Sequence, residues 1–129
     1  MPEKKPVILC LDDDPDILSF LEIVLGAEGY DFVGAESAEE GLRVYREVRP
    51  DLVIVDLMME EVDAGTGFVK AVRLMGDTVP IFMLSSVGDN LAMTTDYTDL
   101  GLAGVFQKPL TKETLLTVLR SKLAEIVGA

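Results

Sequence analysis

The sequence predicts a three-layer α/β fold, a parallel β-sheet with helices on both faces. Three observations predict it. Short apolar runs rich in β-branched residues, such as VILCL at 7–11, LVIV at 52–55 and VPIFML at 79–84, read as strands buried on both sides. Stretches with apolar residues at helical spacing lie between them. Strand and helix patterns alternate through five rounds, and such alternation implies right-handed crossovers and a parallel sheet. The 129 residues, 49% of them hydrophobic, suit one domain spanning 1–129.

The first strand, Val7 to Leu11, runs into Asp12, Asp13 and Asp14. Asp14 followed by Pro15 is a helix start, an N-cap with proline at the first helical position. Ile17, Leu18, Leu21, Val24 and Leu25 recur at helical spacing, and Gly26 or Gly29 ends the helix. Tyr30 to Ala35 is the second strand. Ser37 and Glu40 have capping-box spacing and open a second helix to about Val48, with Leu42 and Tyr45 inward. Pro50 stops it before the central strand, DLVIVD, which ends in Asp56.

A loop rich in glycine and acids follows, and Phe68, Val69, Val72 and Met75 mark a third helix. Val79 to Leu84 is the fourth strand, ending in Ser85 and Ser86. The stretch from Val87 to Gly101 has a weak helical pattern, with the poor helix formers Thr94 and Thr95, and reads as a short fourth helix. Ala103 to Gln107 is a fifth strand, followed by Lys108 and Pro109. Thr111 caps the last helix, whose buried side is Leu115, Leu116, Leu119, Leu123 and Ile126.

Two five-stranded arrangements compete, a flavodoxin-like doubly wound order and half of a dinucleotide-binding fold. The second needs a glycine-rich first turn. The first turn here is DDDPD, whose carboxylates repel a pyrophosphate.

Composition removes several function classes. Eleven Lys and Arg against 23 Asp and Glu leave a net charge of −12, which argues against direct nucleic-acid binding. No histidine is present, so histidine catalysis within the chain is excluded. The lone Cys10 lies in an apolar strand and reads as a small buried hydrophobe. No apolar run approaches the roughly 18 residues needed to cross a membrane, and no signal-peptide pattern is seen. A cytoplasmic location without membrane contact is expected.

In a parallel sheet the C-terminal strand ends share one rim, where ligands bind. That rim receives Asp12 and Asp13 from the first strand, Asp56 from the third, Ser85 from the fourth and Lys108 after the fifth. Gathered acids repel, and a hard divalent cation with oxygen ligands, Mg²⁺, resolves the repulsion. Asp56 could then attack a phosphoryl group and hold it as an acyl phosphate. Lys108, the Ser85 hydroxyl and backbone N–H groups would meet the transferring oxygens. Each residue alone has a plainer reading. Asp14 is a cap before it is a ligand, a solvated strand end can be acidic, and lysine before proline can be only a turn. Together they are far more specific. Phe106 reads as core, Met58, Met59 and Met75 as core or groove lining, and Glu60, Glu61 and Asp63 as solvated.

With these residues in view, the whole chain resembles the receiver domain of bacterial two-component response regulators, the CheY-like family. The matching pieces are VILCLDDDPDI, PDLVIVDLMM, PIFMLSS and FQKPL. The resemblance implies strand order 2-1-3-4-5 with five helices, and a phosphoacceptor at Asp56. It implies Mg²⁺ held by Asp12, Asp13, Asp56 and the Met58 backbone carbonyl. Ser85 becomes the family's hydroxyl switch residue and Lys108 its lysine. It also implies a histidine kinase or histidine phosphotransfer protein as donor. An output domain or downstream protein would read the signal on the face of the fourth helix, fifth strand and fifth helix. Catalysis would be limited to slow self-phosphorylation and autodephosphorylation, and the chain would be a monomer or weak homodimer.

Three departures from the family pattern stand out. The stretch from Met59 to Gly67 lacks the usual proline and is longer by a residue or more. The position three before the lysine, often aromatic, is Val105, and the aromatic is Phe106; a shift of one changes the face of a strand, so Phe106 should point the other way unless a bulge restores it. The segment between Ser85 and Lys108 has a weak helix pattern. Met58 and Val87, two past the acceptor and two past the hydroxyl, are apolar, which predicts a long-lived phosphoryl group. The competing function is a receiver-like protein interaction module that does not use phosphate. A small phosphohydrolase with an aspartyl intermediate would need a substrate pocket and a second general acid–base, and neither is evident.

Overall fold

The computed structural model describes residues 5–56, 64–85 and 101–127. The elements are β1 (Val7–Leu11), α1 (Pro15–Ala27), β2 (Asp31–Ala35), α2 (Ala38–Val48), β3 (Leu52–Asp56), α3 (Ala64–Leu74), β4 (Ile81–Ser85), β5 (Gly104–Gln107) and α4 (Lys112–Val127). All pairings are parallel and the sheet order is β2-β1-β3-β4-β5. The doubly wound expectation therefore holds. Four helices lie among the described residues; the helix expected between Val87 and Gly101, with Thr94 and Thr95, falls outside them, as do Ser86, Met58, Met59, Glu60, Glu61 and Asp63. No helix among the described residues is long and apolar enough to cross a membrane.

Strand alternation divides the core in two. Leu9, Leu11, Val53, Val55, Ile81 and Met83 face α2 and α3, where Tyr45, Phe68, Val69 and Val72 meet them. Ile8, Cys10, Leu52, Ile54, Phe82, Leu84 and Phe106 face α1 and α4, against Leu21, Leu25, Leu115 and Leu119. Successive side chains of a strand point to opposite faces, so continuous apolar runs serve both layers.

The helix starts form as their sequences specify. Asp14 Oδ1 accepts from the Asp16 N–H at 2.9 Å, with Pro15 in the first turn. Ser37 Oγ accepts from the Glu40 N–H at 3.1 Å, but Glu40 reaches back to the Glu36 N–H, one residue earlier than in the standard box. Thr111 Oγ1 accepts from the Thr114 N–H at 3.2 Å. Gly29 (φ 88°), past the end of α1, supplies a left-handed residue where the chain turns into β2.

Two local expectations are corrected. Met75 is exposed, because α3 ends at Leu74 and the next residue leaves the inward stripe. The fourth strand starts at Ile81, since Pro80 has no N–H for the ladder, and takes in Ser85, which pairs with Gln107 of β5.

At the opposite end of the sheet from the acidic rim, Asp77 ties α2 to the α3–β4 turn. Tyr45 Oη donates to Asp77 Oδ2 at 2.8 Å, and Arg49 Nη1 approaches the same oxygen at 3.4 Å. Burial, then the Asp77 hydrogen bond, pushes the Tyr45 hydroxyl up to about 12. Tyr45→Phe is expected to cost about 1–2 kcal/mol, the loss of one hydrogen bond to a charged group. Urea unfolding checks this, and an unchanged midpoint would show that Arg49 and Arg73, whose Nη1 donates to the Asp77 carbonyl at 3.0 Å, hold Asp77 without Tyr45.

Candidate functional site

The chain reverses its winding between β1 and β3. From β1 it moves outward to β2, then returns past β1 to build β3, β4 and β5 on the other side. Crossovers on the two sides place helices on opposite faces, which leaves a crevice above the C-terminal ends of β1 and β3. Asp12 follows β1 and Asp56 closes β3. The expected rim therefore exists, and its acids come from the two strands that flank the switch point.

Asp12 and Asp56 are buried, at 0% and 3% exposure, while Asp13 is exposed. One carboxylate oxygen from each of the three lies within 4.8 Å of the others. Lys108 enters from beyond β5, with Nζ 3.2 Å from Asp56 Oδ1 and 3.8 Å from Asp12 Oδ2. Its placement depends on the backbone, because the Lys108 N–H donates to the Ser85 carbonyl at 2.8 Å and extends the β4–β5 ladder by one step. The Lys108–Pro109 bond is cis. Ser85 is fully buried at the end of β4, one residue beyond the Asp56–Leu84 pair. Asp12, Asp13, Asp56, Ser85 and Lys108 thus share one rim; Met58 lies outside the described residues.

The Asp12 carboxylate is used unevenly. Oδ1 accepts from the Asp14 N–H at 2.9 Å. Oδ2 is buried and has no hydrogen-bond partner, alone in this among the described side chains. A buried acceptor left so costs free energy, and burial first, with Asp56 and Asp13 adding to it, pushes the Asp12 carboxyl up to about 6 against the opposing pull of the Asp14 N–H and Lys108. A hard cation with oxygen ligands fits this donor set: three neighbouring carboxylates, one with a buried oxygen that accepts no hydrogen bond and has only the Lys108 ammonium 3.8 Å away. Sequence reading assigned Asp14 only to the helix cap. Its side chain does cap α1, but its N–H also orients Asp12. The run of aspartates ahead of a proline carried that signal, since Asp readily bonds the backbone two residues on.

The other residues weighed from sequence also find places. Cys10 is buried and its thiol is pushed up by burial and then by Asp12, which keeps it protonated. Phe106 is buried and stacks on Phe82 with ring centroids 5.1 Å apart, whereas Val105 is 40% exposed. The β4–β5 register runs without interruption from Gly104 to Gln107, so no bulge rotates Phe106 outward. The expected reversal of face holds: the aromatic belongs to the core beneath α1 and α4, and an aliphatic residue occupies the outer position.

Comparison with known proteins agrees with this geometry. The family described as the response regulator receiver domain matches residues 8–120. The transcriptional regulatory protein GlrR of Escherichia coli is 34% identical over 129 residues, which is all of this chain and 29% of GlrR. The DNA-binding response regulator MtrA of Mycolicibacterium smegmatis is 33% identical over 116 residues, 90% of this chain and 50% of MtrA. This chain therefore spans half or less of the length of these curated relatives. Among solved structures, chemotaxis protein CheY4 of Vibrio cholerae superposes with a TM-score of 0.84 at 30% identity, covering 92% of this chain and 98% of CheY4. A family match across most of the chain, the 2-1-3-4-5 sheet and an acid–lysine rim at its switch point lead to one assignment: this chain belongs to the response regulator receiver domain family.

Proposed function

We propose that the domain is a phosphoacceptor that takes a phosphoryl group onto Asp56 and changes its protein partners in response. The observation that carries this reading is the Lys108 ammonium 3.2 Å from Asp56 Oδ1, inside a rim of three carboxylates. The donor is a histidine kinase or a histidine phosphotransfer protein in the cytoplasm. An Asp56 carboxylate oxygen attacks phosphorus, the phosphorus–oxygen bond forms as the phosphorus–nitrogen bond breaks, and the electron pair leaves with the imidazole. Lys108 neutralises charge that passes from Asp56 to the phosphoryl oxygens, and the Ser85 hydroxyl is the short donor at the end of β4. Asp12, Asp13 and Asp56 would hold Mg²⁺, with the Met58 carbonyl as a further ligand. When bound, Mg²⁺ supplies positive charge facing the transferring oxygens.

The domain is not an enzyme with a separate substrate; its chemistry is uptake and slow self-hydrolysis. An output domain or downstream protein reads the phosphorylated form, in a monomer or weak homodimer. Because Phe106 is locked in the core, the reading surface does not include an aromatic at the outer position of β5. The test is intact mass after incubation with acetyl phosphate, with Mg²⁺ and with chelator. A gain of one phosphoryl group only with Mg²⁺ is expected. No gain by the folded protein in Mg²⁺ would favour a receiver-like interaction module independent of phosphate.

A further inference from the structure

Gly41 is the fourth residue of α2, inside the helix, where glycine is a poor choice. Its backbone does not need glycine, since its φ is not positive. Its neighbour does. A Cβ at position 41 would overlap Leu11 Cδ2 and lie 2.8 Å from Cγ and 3.1 Å from Cδ1. No other glycine among the described residues has so close a neighbour; at Gly34 and Gly104 the nearest atoms are ring carbons at 3.0 Å. Leu11 cannot yield easily. It is fully buried, and its strand is hydrogen-bonded on both sides, paired with Ala35 and with Val55. The residue after Leu11 is Asp12, whose N–H donates to the Ala35 carbonyl at 3.0 Å.

We propose that Gly41 is a positioning residue for the acidic rim: its missing side chain lets Leu11 seat against α2, and that seat sets where β1 ends and where the Asp12 and Asp13 carboxylates stand. The consequence for metal binding rests on the functional reading above; the consequence for the strand end does not. Gly41→Ala improves helix propensity and adds a methyl where Leu11 already is, so α2 or the end of β1 must move. Leu11→Val removes a methylene from the same space, which makes the double substitution close to volume-conserving.

The test compares wild type, Gly41→Ala, Leu11→Val and the double variant by two readouts. The first is hydrogen exchange of the Asp12 amide without metal, set against global stability. The second is Mg²⁺ affinity by calorimetry. Gly41→Ala is expected to speed Asp12 exchange beyond its effect on global opening and to weaken Mg²⁺ about tenfold, as when the support of a metal ligand is disturbed. The double variant is expected to return to within about threefold of wild type in Mg²⁺ affinity, because paired substitutions in contact are not additive. Leu119→Val, on the other face of the sheet, controls for lost stability and should leave Mg²⁺ affinity unchanged. A Gly41→Ala protein with wild-type exchange and affinity overturns the proposal. So does a double variant that regains stability without regaining either readout. If Gly41→Ala does not fold, recovery of folding by Leu11→Val supports the proposal and failure to recover overturns it. A wild type that binds no Mg²⁺ would instead remove the functional reading, and Asp12 exchange would still decide the role of Gly41.

Discussion

Asp56→Ala is expected to take up no phosphoryl group from acetyl phosphate in Mg²⁺, while wild type gains one. Three carboxylates share the rim, so the identity of the acceptor is a real choice. Asp12 has one oxygen held by the Asp14 N–H, and its other oxygen stands 3.8 Å from Lys108 Nζ, farther than the 3.2 Å of Asp56 Oδ1. Asp13 is exposed to water and lies off the Lys108 contact. Asp56 is buried, closes the central strand and is nearest the lysine. Among the described residues, removing it leaves no buried carboxylate closer to a lysine than the 3.8 Å of Asp12. Intact mass decides the matter. A mass gain retained in Asp56→Ala would move the acceptor to Asp12 or Asp13 and reverse the roles assigned to these acids.

Asp12→Asn is expected to have opposite effects on stability and on metal binding. The folded state raises the Asp12 carboxyl from 3.8 to about 6. Its ionised form is therefore disfavoured by folding. Below about pH 4 both folded and unfolded states are protonated there and the group costs nothing. As pH rises from 4 to 6 the cost grows, and above 6 it is complete. Metal-free wild type should therefore gain stability from this group as pH falls from 7.5 to 5.5, and Asp12→Asn should be more stable than wild type at pH 7.5, with the difference shrinking at pH 5.5. Mg²⁺ at 100 times its Kd should stabilise wild type by about 2.7 kcal/mol at neutral pH. The variant, short of one charged ligand, should need about 10–100 times more Mg²⁺. Thermal melts across pH, with Mg²⁺ and with chelator, measure all of this. A metal-free Asp12→Asn no more stable than wild type at pH 7.5 would mean that Lys108 already compensates the buried charge.

Most of the architecture was readable because the determining interactions are local. Continuous apolar runs gave buried strands, Asp14–Pro15 and Ser37 gave helix starts, and strand ends rich in acid marked the rim. The displacement of the aromatic by one position was enough to foresee a buried Phe106, since strand side chains alternate faces. Met75 was misjudged because an inward stripe persists only as long as the helix does, and α3 stops one residue earlier.

By itself the sequence determined which chemical groups arrive at the rim, and in which order along the chain, because hydrophobic period and capping are written in neighbouring residues. What those groups do to one another is set by how the layers pack. The orphaned Asp12 Oδ2, the two distances from Lys108 and the seat of Leu11 on Gly41 join residues that are far apart in sequence. Such contacts follow from how whole layers pack, where shifts of an ångström change burial, charge and close approach.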